Sequence, residues 1–446
     1  MACGTDRYTR SGPPVPEHHL MARLAIIGTG YVGLTTGACM AHLGHDVVCA
    51  DVDPSKVERL RRGEIPILEH RLDELVAEGL RDGRLRFTTD SAEAVSEVEV
   101  VFLCVPTPQG DDGSADLSYV EAAAVSISAA LPYEAIVVNK STVPVGSTKV
   151  VAKALNRPDV RVVSNPEFLR EGSAVDDFLH PDRVVVGCDD PDAARRVGAL
   201  YDAVHPQLII TDPASAELIK YAANAFLATK LSFVNAIATI CEQVGADIDD
   251  VVVGVGYDSR IGSSFMRPGP GWGGSCFPKD TRALQRIAAD AGYEFTLLHS
   301  VIDANLRQFD HVTERIGVAA GGHLEGATVA VWGLTFKART DDLRDSPSVE
   351  IVLRLLDRGA KVRVFDPTVG APRHGVPAGV EIVDDAVAAT ADADVLAVLT
   401  EWDEFRWIDP DAVASVMRGR AVIDGRNLLE RNAWSRRGFV VSGIGR

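Results

Sequence analysis

A chain of 446 residues is too long for one ordinary hydrophobic core, so two or three domains are expected. Although 46% of the residues are hydrophobic, no uninterrupted apolar run reaches the ~20 residues of a membrane-spanning helix, which argues against membrane insertion. The net charge of -18 would repel a phosphate polymer over most of the surface and argues against nucleic acid as a partner, while a local group of Lys and Arg could still bind a small anion.

The cysteines and the N-terminus indicate the compartment. Seven cysteines occur without a CxxC pair or a Cys/His zinc pattern, so we expect reduced thiols in the cytoplasm and no metal site. The odd number also permits one reactive thiol. The first twenty residues hold three prolines and no apolar segment of the signal-peptide kind, and we predict a loose tail over residues 1–20.

The first predicted domain, residues 21–211, alternates buried-type strands with helix-length segments. This alternation predicts a doubly wound parallel sheet with helices on both faces. The predicted strands are residues 24–27, 46–51, 98–105, 135–140, 160–164 and 183–187.

A glycine fingerprint, GTGYVG, lies between the first two strands. Gly28 allows the tight turn, Gly30 lets a pyrophosphate approach the backbone, and Gly33 permits close packing of helix on strand. The anion would then sit at the helix N-terminus. The order of strand, turn, helix and strand therefore predicts a dinucleotide site.

The carboxylate at the end of the second strand decides between NAD and NADP. We expect Asp51 to accept hydrogen bonds from the ribose hydroxyls, and its charge would repel a 2′-phosphate, which favours NAD. Asp53 is the nearest alternative. A simpler interpretation, in which Asp51 only caps the turn, stays open.

The central region, residues 212–322, begins with a predicted helix. No Gly or Pro interrupts its interior up to Val244, and its apolar spacing is helical. Asp212 and Pro213 fit the N-cap and first helical position, and Gly245 fits the stop. Such a helix would join two α/β lobes and could carry a dimer interface.

Strand and helix alternation returns in the last predicted domain, residues 323–446. Predicted strands span residues 327–332, 361–366, 394–400 and 420–424, with a helix near residues 346–357. The run GLTFK, residues 333–337, replaces the glycine fingerprint, so this lobe is expected to bind a different nucleotide. The predicted fold class is thus α/β, with two Rossmann-like doubly wound parallel sheets joined by a long central helix.

Four segments concentrate polar residues where packing alone would not need them. They are residues 141–146, residues 165–172, the pair Lys220 and Asn224, and residues 273–280. The first two follow strands of the first sheet, and ligands of such sheets bind beyond the carboxyl ends of strands. Lys220 and Asn224 are four residues apart on one helix face, where a cation and an amide would suit an oxygen that gains negative charge. A solvated surface pair is the simpler interpretation, but the apolar neighbours favour a buried, functional one.

Cys276 follows three small residues, and Pro278 fits an early helical position. The thiol would then lie near a helix N-terminus and beside Lys279, and both favour the thiolate. An arbitrary cysteine is more often an inert core residue. A glycine loop followed by Lys279 and Asp280 is a poor site for mere packing.

The motifs GTGYVGL, STVPVGST, NPEFLREGSAVDDF, the Lys220/Asn224 helix, GGSCFPKD and GLTFKARTDDLRDSP occur in this order. Together they resemble the UDP-glucose/GDP-mannose dehydrogenase family over residues 21–440. The resemblance implies an NAD domain, a central helical domain with the dimer contact, and a C-terminal domain for the nucleotide sugar. It also implies a homodimer or higher homo-oligomer that oxidises UDP-glucose to UDP-glucuronate, with two NAD and one water.

The chemistry implied by this resemblance centres on Cys276. Its thiolate would add to the C6 aldehyde, the thiohemiacetal would be oxidised to a thioester, and water would hydrolyse the thioester. Lys220 and Asn224 would stabilise the oxyanion, and Asp280 would act as a base or position water. Thr142 and Glu167 would hold a water that relays protons.

The expected catalytic residues are Cys276, Lys220, Asn224, Asp280, Thr142 and Glu167. The expected NAD-binding residues are Gly28, Gly30, Tyr31, Val32, Gly33, Asp51, Lys56, Thr107, Thr142, Glu171, Lys279 and Arg344. The expected substrate-binding residues are Glu167, Phe168, Leu169, Glu171, Lys220, Asn224, Arg260, Phe265, Gly273, Cys276, Phe336 and Lys337.

Other functions stay open at this point. GDP-mannose or another nucleotide sugar is the nearest alternative substrate, although Gly172 and the run Phe277–Lys279 look more like the UDP-glucose branch. A two-electron hydroxyacid dehydrogenase would lack the cysteine loop and the second α/β lobe. A non-catalytic NAD-binding regulator would not need the full set of expected catalytic residues.

Overall fold

The computed structural model describes residues 21–110, 115–370 and 375–446. The tail predicted for residues 1–20 lies outside these described residues. The chain divides into two compact units, with the division between Ala222 and Ala223. The three-part division at residues 211 and 322 stays a prediction.

The described part of the first unit contains one sheet of eight strands. These strands are β1 (Arg23–Ile27), β2 (Asp46–Ala50), β3 (Leu85–Thr88), β4 (Val100–Leu103), β5 (Ile136–Asn139), β6 (Arg161–Ser164), β7 (Val184–Gly187) and β8 (Leu208–Thr211). Their order is β3-β2-β1-β4-β5-β6-β7-β8. The pairings are parallel except between β6 and β7, which meet antiparallel at Ser164 and Gly187. The first six strands therefore have the doubly wound order, with its switch point between β1 and β4.

Helices cover both faces of this sheet. They are α1 (Tyr31–His42), α2 (Pro54–Arg61), α3 (Leu72–Arg81), α4 (Ser91–Val95), α5 (Ser118–Ser128), α6 (Ser147–Leu155), α7 (Ala174–Leu179) and α8 (Pro191–Ala199). Alternate residues of β1 belong to different apolar clusters: Leu24 and Ile26 pack on one face, and Ala25 and Ile27 on the other. Because the central strands are buried on both faces, their sequences are continuous runs of apolar residues.

Helix α9 (Pro213–Val244) confirms the predicted long helix. The Asp212 carboxylate accepts a hydrogen bond from the Ser215 backbone N–H at 2.8 Å, and Gly245 has φ of +75°, so both ends terminate as expected. Among the described helices, α9 is long and apolar enough to cross a membrane by length and composition alone, a criterion that core helices also meet.

The second unit continues with helices and a second sheet. The helices are α10 (Ile248–Gly256), α11 (Phe277–Asp290), α12 (Thr296–Ala319), α13 (Pro347–Asp357), α14 (Ala386–Ala389), α15 (Pro410–Val416) and α16 (Arg431–Ser435). The strands are β9 (Thr328–Trp332), β10 (Lys361–Phe365), β11 (Val380–Ile382), β12 (Val395–Val398), β13 (Ala421–Asp424) and β14 (Val440–Gly443). Their order, β11-β10-β9-β12-β13-β14, repeats the doubly wound order with parallel pairings.

Four strands were absent from the sequence-based prediction: β3, β8, β11 and β14. Each is the edge of its sheet in the described residues. An edge strand pairs on one side only, and neither β8 nor β11 has a fully buried residue. The β11 sequence, VEI, has a charged residue at its centre, whereas the β8 sequence, LIIT, is apolar and was missed despite that signal. The central strands were predicted because they are buried on both faces.

Candidate active site

Two glycines of the fingerprint are required by the fold of the turn itself. Gly28 has φ of +95°, and its backbone N–H donates to the Ala50 carbonyl at 2.8 Å. A Cβ on Gly33 would lie 1.9 Å from the Gly28 carbonyl oxygen. These positions bring α1 directly against the turn after β1.

Gly30 differs from those two glycines. A Cβ at this position would meet no atom within 4 Å, and its φ of -68° is open to any residue. Gly30 is also the N-cap of α1 and supplies no side-chain cap to the first turn. The helix N-terminus therefore fits an approaching anion such as the pyrophosphate of NAD.

Asp51 braces the turn from the end of β2. One of its carboxylate oxygens accepts from the Thr29 backbone N–H (2.8 Å), the Thr29 hydroxyl (2.6 Å) and the Lys56 ammonium (2.9 Å). Burial alone would raise the pKa of Asp51, but these hydrogen bonds lower it to about 2. Asp53 instead caps α2 through the Ser55 backbone N–H, and the ribose role of Asp51 stays a prediction.

Tyr31 connects the fingerprint to a second loop. Its hydroxyl donates to the Glu69 carboxylate and accepts from the Gly172 backbone N–H at 2.8 Å. Glu69 is buried and also accepts from the N–H groups of Gly172 (2.6 Å) and Ala174 (2.9 Å). Tyr31 therefore holds the loop that carries Glu171, while Val32 packs on the apolar core.

The loops after β4 and β5 are joined by side-chain hydrogen bonds. The Thr107 hydroxyl donates to the Thr142 carbonyl at 2.9 Å, and the Ser141 hydroxyl donates to the Val105 carbonyl at 2.7 Å. Glu217, on α9, accepts from the backbone N–H of Gly146 at 2.6 Å. The predicted segment after β5 is thus held on two sides.

Glu167 and Lys220 form a buried ion pair in the first unit. Lys220 Nζ lies 2.8 Å from Glu167 Oε1, with side chains 4% and 6% exposed. The Leu169 backbone N–H donates to the other carboxylate oxygen at 2.7 Å, and the Phe168 ring lies 5.6 Å from Lys220 Nζ. Burial alone would raise the pKa of Glu167, but the Lys220 charge and these hydrogen bonds lower it below its ordinary value.

A second group of predicted residues meets in the second unit. Cys276 is the N-cap of α11, and its Sγ lies 3.6 Å from the Ser275 hydroxyl. Asp280 is fully buried, accepts from the Lys279 ammonium at 2.5 Å, and accepts from the Asn224 amide at 2.6 Å. Cys276 therefore lies at the N-terminus of α11, where the helix dipole favours negative charge, while the Lys279 ammonium is paired with Asp280.

The glycine loop before Cys276 packs on the turn after β9. A Cβ on Gly273 would lie 1.9 Å from the Asp345 carbonyl oxygen, and one on Gly274 would lie 2.7 Å from the Phe336 ring. Lys337 Nζ lies 5.4 Å from the centre of the Phe336 ring. The expected substrate residues Gly273, Phe336 and Lys337 are thus brought together, and Phe265 contacts the Phe277 ring nearby.

Two expected binding residues pair with neighbouring carboxylates. Arg260 binds Asp258 at 2.6 Å and its side chain is 87% exposed. Arg344 binds Asp342 at 2.6 Å and its side chain is 66% exposed. The roles of both arginines stay predictions. Within the described residues, no group of three or more His, Cys, Asp or Glu side chains could hold a metal ion.

The sequence patterns did not single out Lys140, which is buried directly before the Ser141 loop. An ionisable residue at the end of a buried strand was the available signal. Lys140 is the last residue of the predicted strand 135–140 and directly precedes the polar segment 141–146, so the pattern assigns it to the strand.

Comparisons with known proteins cover nearly the whole chain. Family models described as UDP-glucose/GDP-mannose dehydrogenase family match in three parts: the NAD binding domain to residues 22–205, the central domain to residues 214–307 and the UDP binding domain to residues 330–431.

Among curated proteins, UDP-glucose 6-dehydrogenase of Rhizobium meliloti (strain 1021) is 45% identical, over 95% of this chain and 99% of its own length. UDP-glucose 6-dehydrogenase TuaD of Bacillus subtilis (strain 168) is 44% identical, over 96% of this chain and 94% of its own length. The solved structure of a UDP-glucose dehydrogenase from Pyrobaculum islandicum has a TM-score of 0.89 and 40% identity, covering 97% of this chain and 100% of that one.

Proposed function

The chain belongs to the UDP-glucose/GDP-mannose dehydrogenase family, and we propose that it oxidises UDP-glucose to UDP-glucuronate with NAD as cofactor. The observation that carries this proposal is the near-complete match to relatives named for that activity. The reaction removes four electrons and consumes two NAD and one water. Because the cysteines in the described residues are free thiols, a reducing, cytoplasmic location is part of the proposal.

The cofactor fits the turn after β1. The uncapped N-terminus of α1 and the open space at Gly30 would receive the pyrophosphate, and Asp51 would bind the ribose hydroxyls. Bound NAD supplies the hydride acceptor for both oxidations. The Asp51 carboxylate would repel the 2′-phosphate of NADP, which supports NAD as the cofactor.

Cys276 is proposed to make the second oxidation possible. An aldehyde carbon must become tetrahedral before it can lose a hydride, and a thiolate that adds to it forms a thiohemiacetal. Loss of hydride leaves a thioester, and water then displaces the thiol to release the carboxylate. The position of Cys276 at the N-terminus of α11 supports this role.

The surrounding polar residues are proposed to stabilise negative charge and to transfer protons. Lys220 and Asn224, one turn apart on α9, would stabilise the oxyanion of the tetrahedral intermediates. Asp280, which binds the Asn224 amide, would position the hydrolytic water or accept its proton. Thr142 and the ionised Glu167 would hold a water that relays protons.

Product stoichiometry tests the proposed function. The protein is incubated with NAD and, separately, UDP-glucose, GDP-mannose, a UDP-N-acetylhexosamine and a hydroxyacid, and NADH is counted per substrate consumed. Two NADH per UDP-glucose is the expected result. One NADH, or turnover only with another substrate, would contradict the proposal.

Replacing the thiol tests covalent catalysis. Cys276→Ser should reduce turnover by at least about 1000-fold, because the weaker nucleophile blocks formation or hydrolysis of the acyl intermediate. Cys188→Ser is the matched control, since Cys188 is also a partly buried free thiol and no catalytic role is proposed for it. Unchanged turnover in Cys276→Ser would exclude the thioester.

We also propose a homodimer that uses α9. Phe226, Phe233 and Ile240 are 66%, 52% and 52% exposed and recur every seven residues, so they form an apolar stripe along one helix face. A second copy of the chain would bury this stripe. Light scattering should give a dimer for the native protein and a monomer for Phe233→Glu, and a monomeric native protein would contradict the proposal.

A further inference from the structure

Lys140, Asn165 and Tyr201 form a buried polar cluster in the first unit. Lys140 Nζ donates to Asn165 Oδ1 and to the Tyr201 hydroxyl, each at 3.1 Å. The Tyr201 hydroxyl donates to Asn165 Oδ1 at 2.7 Å, and Asn165 Nδ2 donates to the Val185 carbonyl at 2.7 Å. The three residues are 4%, 1% and 2% exposed, so an ammonium group is withdrawn from water almost completely.

The cluster lies where β5 and β6 end. Asn139 and Ser164 are the last paired residues of these parallel strands, and the Asn165 backbone N–H still donates to the Asn139 carbonyl at 3.0 Å. Lys140 and Asn165 are therefore the first residues after the paired parts of β5 and β6, and the hydrogen bond between their side chains continues the link between the two segments. Lys140 precedes the loop with Thr142, and Asn165 precedes the loop with Glu167.

Lys140 has neutral hydrogen-bond partners. Among the residues that the structure describes, no carboxylate lies within ion-pair distance of its ammonium group. The titratable or charged groups that face it are Cys104 after β4, Tyr201 after α8, Glu167 after β6 and Lys220 on α9. Burial lowers the pKa of Lys140 to about 8, with Lys220 acting in the same direction and Cys104 and Glu167 opposing it. Its charge in turn helps to lower the pKa of Glu167.

Burying an ammonium group costs desolvation free energy, whereas an apolar side chain at this position would not. Packing alone therefore does not explain a lysine here. We propose that Lys140 is a positioning residue for the oxidation: it fixes the spacing of the loops that carry Thr142 and Glu167, and its positive charge adds to that of Lys220 in the surroundings of the Glu167 carboxylate. This inference rests on the function proposed above. Lys140 itself touches neither substrate nor cofactor in this role.

Lys140→Met tests the inference, because methionine keeps the length of the side chain and removes its charge and its hydrogen bonds to Asn165 and Tyr201. Turnover, kcat, should fall about 10- to 100-fold, as expected when reacting groups shift by up to an ångström, while KM for UDP-glucose and NAD changes by less than about threefold. The acidic limb of the kcat profile should also move to higher pH, because Glu167 loses a nearby cation. Lys153→Met, an exposed lysine on α6, is the matched control and should leave kcat and the profile unchanged.

Tyr201→Phe provides a second test that does not depend on the stability of the methionine variant. It removes one acceptor from the buried ammonium, so Lys140 should lose its proton at lower pH. The alkaline decline of kcat should then begin about one pH unit earlier than in the native protein. A merely structural contact would not move this limb.

The outcomes separate this inference from the proposed function. A native protein that does not oxidise UDP-glucose overturns the function. A native protein that does so, with unchanged kcat and acidic limb in Lys140→Met, overturns the role of Lys140 alone. If Lys140→Met yields no folded protein, an unchanged alkaline limb in Tyr201→Phe is the overturning result.

Discussion

In the first sheet the glycine turn after β1 leads directly into α1, whereas in the second sheet residues 334–346 separate the turn after β9 from α13. The two turns begin alike: Gly28 and Gly333 have φ of +95° and +91°, and each backbone N–H donates to the neighbouring strand at 2.8 Å. The helices that come after them begin differently. The N-terminus of α1 has no side-chain cap, but that of α13 is capped by the Ser346 hydroxyl.

The carboxylates at the ends of β2 and β10 show the same divergence. Asp51 and Asp366 each accept hydrogen bonds from their own turn. Asp366 is only 3% exposed and receives further bonds from the Thr335 hydroxyl, the Thr368 hydroxyl and the Trp402 indole. The same topology therefore forms a turn that is open to a dinucleotide in the first sheet. In the second sheet, protein groups supply the hydrogen bonds of the carboxylate at the turn.

The largest expected effect comes from exchanging each carboxylate for an amide. Asp366→Asn should lower the free energy of unfolding by about 2–4 kcal/mol, because an NH₂ group would face buried donors. Asp51→Asn should cost less stability but raise KM for NAD about 10-fold and reduce the preference for NAD over NADP. Thermal unfolding and cofactor kinetics check both. Equal stability losses would contradict the distinction between the two sites.

Two glycines of the first turn separate folding from binding. Gly33→Ala should destabilise the first unit by about 1–3 kcal/mol, since its Cβ would overlap the Gly28 carbonyl. Gly30→Ala should leave the melting temperature unchanged and raise KM for NAD about 10-fold, because only the ligand needs that space. Loss of stability in Gly30→Ala would show that the open turn is needed for folding.

The pH dependence of unfolding should reveal how much the hydrogen bonds of the Asp51 carboxylate to the turn contribute to stability. Its folded-state pKa of about 2 lies below its ordinary value of 3.8, so its contribution to stability is present above about pH 4 and is lost as the pH falls through 2. In chemical denaturation between pH 5 and pH 2, Asp51→Asn should show a shallower loss of stability than the native protein. Parallel curves would argue against the brace.

The smallest expected effect concerns Lys56, a partly exposed lysine that forms an ion pair with Asp51. Lys56→Met should change KM for NAD by less than about fivefold and stability by less than about 1 kcal/mol, as a partly exposed ion pair in water contributes little. Kinetics at low and high salt measure this. A larger, salt-dependent loss would show that the Lys56 charge contributes more to the NAD site than a partly exposed ion pair does.

Local patterns in the sequence were sufficient for the central strands, the glycine turn and α9. Buried parallel strands are continuous apolar runs, and positive φ or a missing Cβ selects glycine whatever lies elsewhere. The position of Cys276 before Pro278 was likewise enough to place it at a helix N-terminus. These features depend on neighbours within a few residues, so they can be read from the sequence.

Only the tertiary structure decided which polar residues meet. Glu167 binds Lys220 across 53 residues of chain, and Asn224 binds Asp280 across 56. The edge strands and the Lys140 cluster also depend on which segments become neighbours after folding. A buried charge has no periodic signature, because its environment is created by strands and helices distant in sequence. The sequence by itself therefore determined two doubly wound sheets, a dinucleotide turn and a cysteine at a helix start. Packing determined that Asp51 accepts hydrogen bonds from the glycine turn and that Lys220 pairs with Glu167. It also determined that Lys140 is buried against Asn165 and Tyr201.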